Sequence, residues 1–79
     1  MSSNVEHLVQ MANDIGQFFS SEPDHEAAVE GIASHIRRFW EPRMRRHIYA
    51  YLDAGGAGLS DIACDAIRRL SEKDSAAAH

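Results

Sequence analysis

Ile32-Ala-Ser-His-Ile-Arg-Arg-Phe-Trp-Glu-Pro-Arg-Met-Arg-Arg46 holds the end of one amphipathic helix and the start of another. Ile32, Ala33, Ile36, Phe39 and Trp40 recur at helical spacing, and Ala28 and Val29 extend the same stripe upstream. Pro42 stops it, because proline has no amide donor and disfavours the helical region for Glu41. Proline is also pre-organised for a first helical turn. The stretch therefore predicts a tight corner at Trp40-Glu41 and a helix from Pro42 to about Ala54. The apolar face of that helix is Met44, Ile48, Tyr51 and Leu52. Glu41 stands four residues ahead of Arg45, the favourable order for an intrahelical pair.

The flanks read the same way. Upstream, Val5, Leu8, Val9, Ala12, Ile15 and Phe19 predict a helix over 4–20 with Asn4 as its cap, and Met11 and Phe18 widen its apolar stripe. Gly16 lies on that face, where a glycine permits close approach of another helix at some cost in helix propensity. Ser21 and Asp24 both fit the N-cap of the helix that ends near Trp40, and Glu22, Asp24 and Glu26 complement its positive end. Downstream, Gly55-Gly56-Ala57-Gly58 supplies the glycine expected just past a helix C-terminus. Ser60 caps a last helix to about Ser71, with Leu59, Ile62, Ala63, Ala66, Ile67 and Leu70 apolar and Asp65 placed to pair with Arg69. Residues 72–79 lack apolar periodicity and read as a flexible tail. There is no strand pattern and no internal repeat. The expectation is an all-α fold, a compact array of about four short helices forming one domain over residues 1–71.

Charge is spread unevenly. Residues 37–46 sum to +4, residues 1–36 to −6 and residues 47–79 to −2. Arg37, Arg38, Arg43, Arg45 and Arg46 crowd one ten-residue window around Trp40, the sole tryptophan. Guanidinium forks beside an aromatic suit a surface that meets an anionic partner. These residues with Trp40 are the candidate partner-binding set, although Trp40 fits plain core packing equally well. The net charge of −4 disfavours general nucleic-acid binding. A chain of 79 residues buries only about 60% of its unfolded surface, and Cys64 is its only cysteine, so no intrachain disulfide offsets that. A lone thiol fits a reducing compartment. No apolar run approaches the roughly 18 residues of a membrane span, and the first twenty residues lack the features of a signal peptide. The expected location is the cytoplasm.

The chemistry-bearing residues form no recognisable catalytic set. His7, His25, His35, His47 and His79 contain no i, i+4 pair and no metal-ligand spacing. Cys64 falls beside an apolar stripe and reads as a packing residue. The glycine run follows a helix instead of a strand and lacks a P-loop lysine, so it reads as a connector and not a phosphate cradle. We expect no catalytic residue, no cofactor-binding residue and no metal ligand, and too little volume for an enclosed ligand pocket.

Three blocks occur in order: Met11-Ala-Asn-Asp-Ile-Gly-Gln-Phe-Phe19, Ile32 to Arg46 as quoted, and Leu52-Asp-Ala-Gly-Gly-Ala-Gly-Leu59. Together, over residues 5–70, they resemble the small delta subunit of cytoplasmic, NAD-dependent, molybdenum-containing formate dehydrogenases. The resemblance implies a non-catalytic accessory role. In that family formate is oxidised on the large alpha subunit at a molybdenum bis-guanine-dinucleotide centre, and electrons pass through iron–sulfur clusters to flavin and NAD on other subunits. The implied partner is the alpha subunit, and through it the flavin and iron–sulfur subunits. The implied role is support of assembly or stability. A maturation role, assisting insertion of the molybdenum cofactor, is the alternative, since arginine binds phosphate bidentately. A helix with arginines in its first turns also resembles a DNA-recognition helix, but the overall acidity opposes that reading. Met11 and Phe18 leave an apolar excess that fits a homodimer of the isolated chain or a partner-binding face.

Overall fold

The computed structural model describes residues 3–77, which form four helices: α1 (Ser3–Phe18), α2 (His25–Phe39), α3 (Pro42–Asp53) and α4 (Asp61–Ala77). There is no strand among them, so the all-α expectation is met. The corner falls where Pro42 demands it. Trp40 (φ −93, ψ 137) and Glu41 (φ −66, ψ 153) are both extended, and Pro42 opens α3. Asp24, and not Ser21, caps α2, its Oδ1 accepting from the Glu26 amide at 3.0 Å. Ser60 caps α4, its Oγ accepting from the Ala63 amide. α1 begins at Ser3, ahead of the cap expected at Asn4.

The core is built from one stripe per helix: Leu8 and Ala12; Val29, Ile32, Ala33, Ile36 and Trp40; Ile48; and Ala63, Ala66, Ile67 and Leu70. Ile32, Ile36, Ile48 and Ile67 are fully buried, each burial being worth about 1.5–3 kcal/mol. α2 and α4 share the most extensive interface and run parallel, since His25 meets Asp65 while Glu30 meets Lys73. Ala28 and Ala33 of α2 and Ala63 and Ala66 of α4 are buried, and such small side chains let helices approach closely. α3 runs antiparallel to α4. Gly16 fulfils its expected role: a Cβ there would stand 3.3 Å from Ile62 Cγ2, so α1 rests directly on the start of α4.

The loop between α3 and α4 is held from two sides. The Gly56 amide donates to Tyr51 O and the Gly55 amide to Leu52 O, which is the Schellman pattern of a glycine-terminated helix. Gly55, the residue after the C-cap, has the positive φ that motif requires, and Gly56 has positive φ as well. From α1, Asn13 grips the loop with both ends of its amide: Nδ2 donates to Gly58 O at 2.8 Å, and Oδ1 accepts from the Ser60 amide at 2.9 Å. Tyr51 adds a hydroxyl bond to Ala57 O at 2.6 Å. The amides of Gly55, Gly56, Leu59 and Ser60 are thus engaged within the chain, as a connector requires.

Two expectations need correction. α4 does not stop at Ser71 but continues to Ala77, so the segment taken for a flexible tail is helical to that point. Its Asp74 accepts from the Tyr49 hydroxyl at 2.6 Å and faces Arg45, a polar tie that leaves no apolar period to read; Ala78 and His79 lie outside the described residues. Arg69 does not pair with Asp65. It reaches α2 and binds Glu26 and Glu30, while Asp65 takes His25 and Arg68. Phe18 is 79% exposed, in keeping with the apolar excess read from the sequence, whereas Phe19 turns back onto Gly31 of α2.

Replacing Asn13 with Ala removes both loop bonds and leaves Gly58 O and the Ser60 amide without their partner. Asn13→Ala is expected to destabilise the fold by about 1–3 kcal/mol, read as a lower urea midpoint at unchanged slope.

Candidate functional site

The arginine cluster divides in two on folding. Arg45 turns inward. Its Nη1 donates to Arg37 O at 3.2 Å and Trp40 O at 3.1 Å, capping carbonyls at the end of α2. Its buried Nε faces Asp74 Oδ2 at 3.4 Å, close enough for an ion pair but not aligned for a hydrogen bond. The expected pairing with Glu41 is replaced by this link to α4. Asp74 also receives the Tyr49 hydroxyl, which burial, and then the bond to the Asp74 carboxylate, pushes above its ordinary pKa, so it stays a donor.

Trp40 also turns inward, at 4% exposure. Its extended backbone takes it out of the helical series, and its ring fills the core at the corner. Core packing is the reading of Trp40 that the fold realises, and the indole is not presented at the surface. The surface aromatic is its neighbour Phe39, 69% exposed, with its ring 4.7 Å from that of His35 one turn back. Helical periodicity assigned Phe39 to the core because it treats the last residue of a helix like any other. The signal that could have found it was the competition of two adjacent aromatics for one core position at a helix end.

Arg37, Arg38, Arg43 and Arg46 are exposed, and among the described residues none has a carboxylate within ion-pair range. Every other cationic Lys or Arg side chain has one: Arg45 with Asp74, Arg68 with Asp65, Arg69 with Glu26 and Glu30, Lys73 with Glu30. The four unpaired guanidiniums all belong to the last turn of α2 or the first turns of α3. They fan around the corner and do not converge. Arg37 lines a cleft with Glu30 and Lys73, Arg46 one with Tyr49 and Asp74, and Arg43 one with His7 and His47. The clefts are open to solvent; one between Tyr49, Asp53, Arg68 and Glu72 holds about 410 Å³.

Elsewhere the titratable groups serve the fold. Arg69 and Lys73 hold the Glu30 carboxyl below its ordinary pKa, and Glu26 and Glu30 raise that of Arg69. Burial pushes the Cys64 thiol up, away from the nucleophilic thiolate. No group of three or more His, Cys, Asp or Glu side chains is placed to hold a metal among the described residues. No helix there is long and apolar enough to cross a membrane.

The chain is a small all-helical domain whose unanswered positive charge is gathered at one corner. A family model described as the NADH-dependent formate dehydrogenase delta subunit FdsD matches residues 7–67, and the chain belongs to this family. The match spans all three sequence blocks. No curated protein and no solved structure matches the chain.

Two outcomes test this division of labour. Arg45→Ala is expected to cost about 1.5–3 kcal/mol of stability, because it removes charge-assisted bonds to two carbonyls and the ion pair with Asp74. Arg37→Ala, Arg38→Ala, Arg43→Ala and Arg46→Ala should each stay within about 0.5 kcal/mol of the parent by urea denaturation. The second outcome concerns acid. A carboxylate with a lowered folded-state pKa stabilises the fold above its unfolded pKa, here the ordinary 4.5, and that contribution is lost as pH falls through the lowered value. Thermal unfolding midpoints followed downward from pH 5 should therefore fall less steeply for Arg69→Gln than for the parent chain.

Proposed function

We propose that the chain is a non-catalytic accessory subunit that docks through its α2–α3 corner on the molybdenum-containing catalytic subunit of an NADH-dependent formate dehydrogenase, supporting assembly or stability of the complex in the cytoplasm. One observation carries the docking surface: at the corner that exposes Phe39, four exposed guanidiniums have no ion-pair partner among the described residues, in a chain that pairs its other Lys and Arg side chains. Arginine and aromatic side chains are enriched at interface hot spots, and an unpaired arginine gives up no internal bond when it meets a partner. Arg37, Arg38, Phe39, Arg43 and Arg46 are the contact residues of this reading. Arg45 and Trp40 support them from within by fixing the corner.

The test is co-purification. A tagged chain carrying Arg37→Glu, Arg38→Glu, Arg43→Glu and Arg46→Glu should fold as the parent does by circular dichroism and yet fail to retain the other subunits. Contacts that become buried are worth about 2–5 kcal/mol each on removal. Retention at the parental level would exclude the corner as the docking surface. Retained subunits with a deficit of molybdenum would support the maturation role instead.

A further inference from the structure

We propose that the cleft between the start of α1 and α3, lined by His7, Leu8, Arg43, Met44 and His47, seats one carboxylate side chain of the partner subunit. The proposal rests on the docking reading above and names the chemistry of one contact within it. The cleft holds about 280 Å³. It is an open surface cleft, not an enclosed pocket. Buried Leu8 and half-buried Met44 supply apolar lining. His7, Arg43 and His47 are exposed and supply its polar groups. A guanidinium carries five N–H donors and no acceptor, and each imidazole has at least one N–H in either tautomer. The lining therefore offers donors and one fixed positive charge over an apolar base, which matches a carboxylate on a short aliphatic stem.

The other clefts of the molecule differ in charge. One contains Glu26, Asp65 and Glu72, a second Glu30, a third Asp74 and a fourth Asp53 and Glu72. Each of these four clefts includes at least one carboxylate in its lining. The His7–Arg43–His47 cleft contains none, and Arg43 has no ion pair elsewhere. Its position reinforces the charge. Arg43 stands in the first turn of α3, which has no acidic residue, and the N-cap Glu41 makes no side-chain capping bond. No side-chain capping bond satisfies the amides at the positive end of the α3 dipole beside the cleft. The guanidinium next to two imidazoles also repels a metal cation.

Sequence reading could not assemble this site. His7 and His47 are forty positions apart and come together only because α1 packs against α3.

The experiment uses the remaining subunits of the complex, purified from cells lacking this chain and immobilised as the probe. The parent chain, Arg43→Glu and His7→Gln/His47→Gln are titrated onto them, with matched unfolding midpoints as the check on folding. Arg43→Glu should weaken binding at least tenfold and His7→Gln/His47→Gln about threefold. Both variants binding within twofold of the parent would overturn the proposal while leaving docking intact. A parent chain that does not bind at all would overturn the docking reading, and this proposal with it. In a second measurement, Arg43→Lys places an amine in the cleft, and a carbodiimide should then join it to an Asp or Glu of the partner, located by mass spectrometry. Binding without that cross-link would also overturn the proposal.

Discussion

The guanidinium of Arg45 is the tie on which the arrangement of this small domain turns. It binds the carbonyls of Arg37 and Trp40 at the end of α2, belongs itself to α3, and faces Asp74 on α4. Three helices are joined by one side chain at a sharp corner. The end of a helix carries unpaired carbonyls and partial negative charge, and a cation placed there satisfies both. Because Pro42 forbids the chain to continue straight, those carbonyls stay free for Arg45 to cap. The same corner rotates Trp40 out of the helical series and into the core. Without the corner, neither the core position of Trp40 nor the exposure of Phe39 follows.

Charge placement follows from that tie. Around the α2–α4 interface, cations and carboxylates answer one another: Arg69 and Lys73 with Glu26 and Glu30, and Asp65 with His25 and Arg68. Exposed pairs of this kind contribute little each, but they leave few charges there that call for a partner. At the α2–α3 corner the balance is broken. Arg45 spends its charge inside, and Arg37, Arg38, Arg43 and Arg46 face solvent unanswered. On the docking reading proposed above, this corner is where charge favours association with another chain most.

Much of the fold was legible in the chain. Pro42, the glycine run and the apolar stripes placed all four helices, and Ser60 and Gly16 did what their types and positions suggested. Asn13 was not legible: its amide looks like any polar residue on a helix surface until the α3–α4 loop arrives beneath it. The continuation of α4 past Ser71 was hidden for a related reason. Its anchor is Asp74 bonded to Tyr49, a polar contact across twenty-five positions, and hydrophobic periodicity has nothing to report there. The site was legible as a composition but not as a geometry. The arginine window stood out at once, but which guanidinium would be consumed by the fold depended on where α4 passed.

The sequence by itself determined the helical class, the corner and the family, because local backbone preference and a specific residue order need no distant partner to act. Only the tertiary structure decided that Trp40 is core and Phe39 surface, that Arg45 is a structural clamp while its four neighbours are free, and that His7 and His47 share a cleft with Arg43. These outcomes depend on which side chains from remote segments compete for the same buried volume and the same counter-charge. That competition is settled only when the helices are packed together.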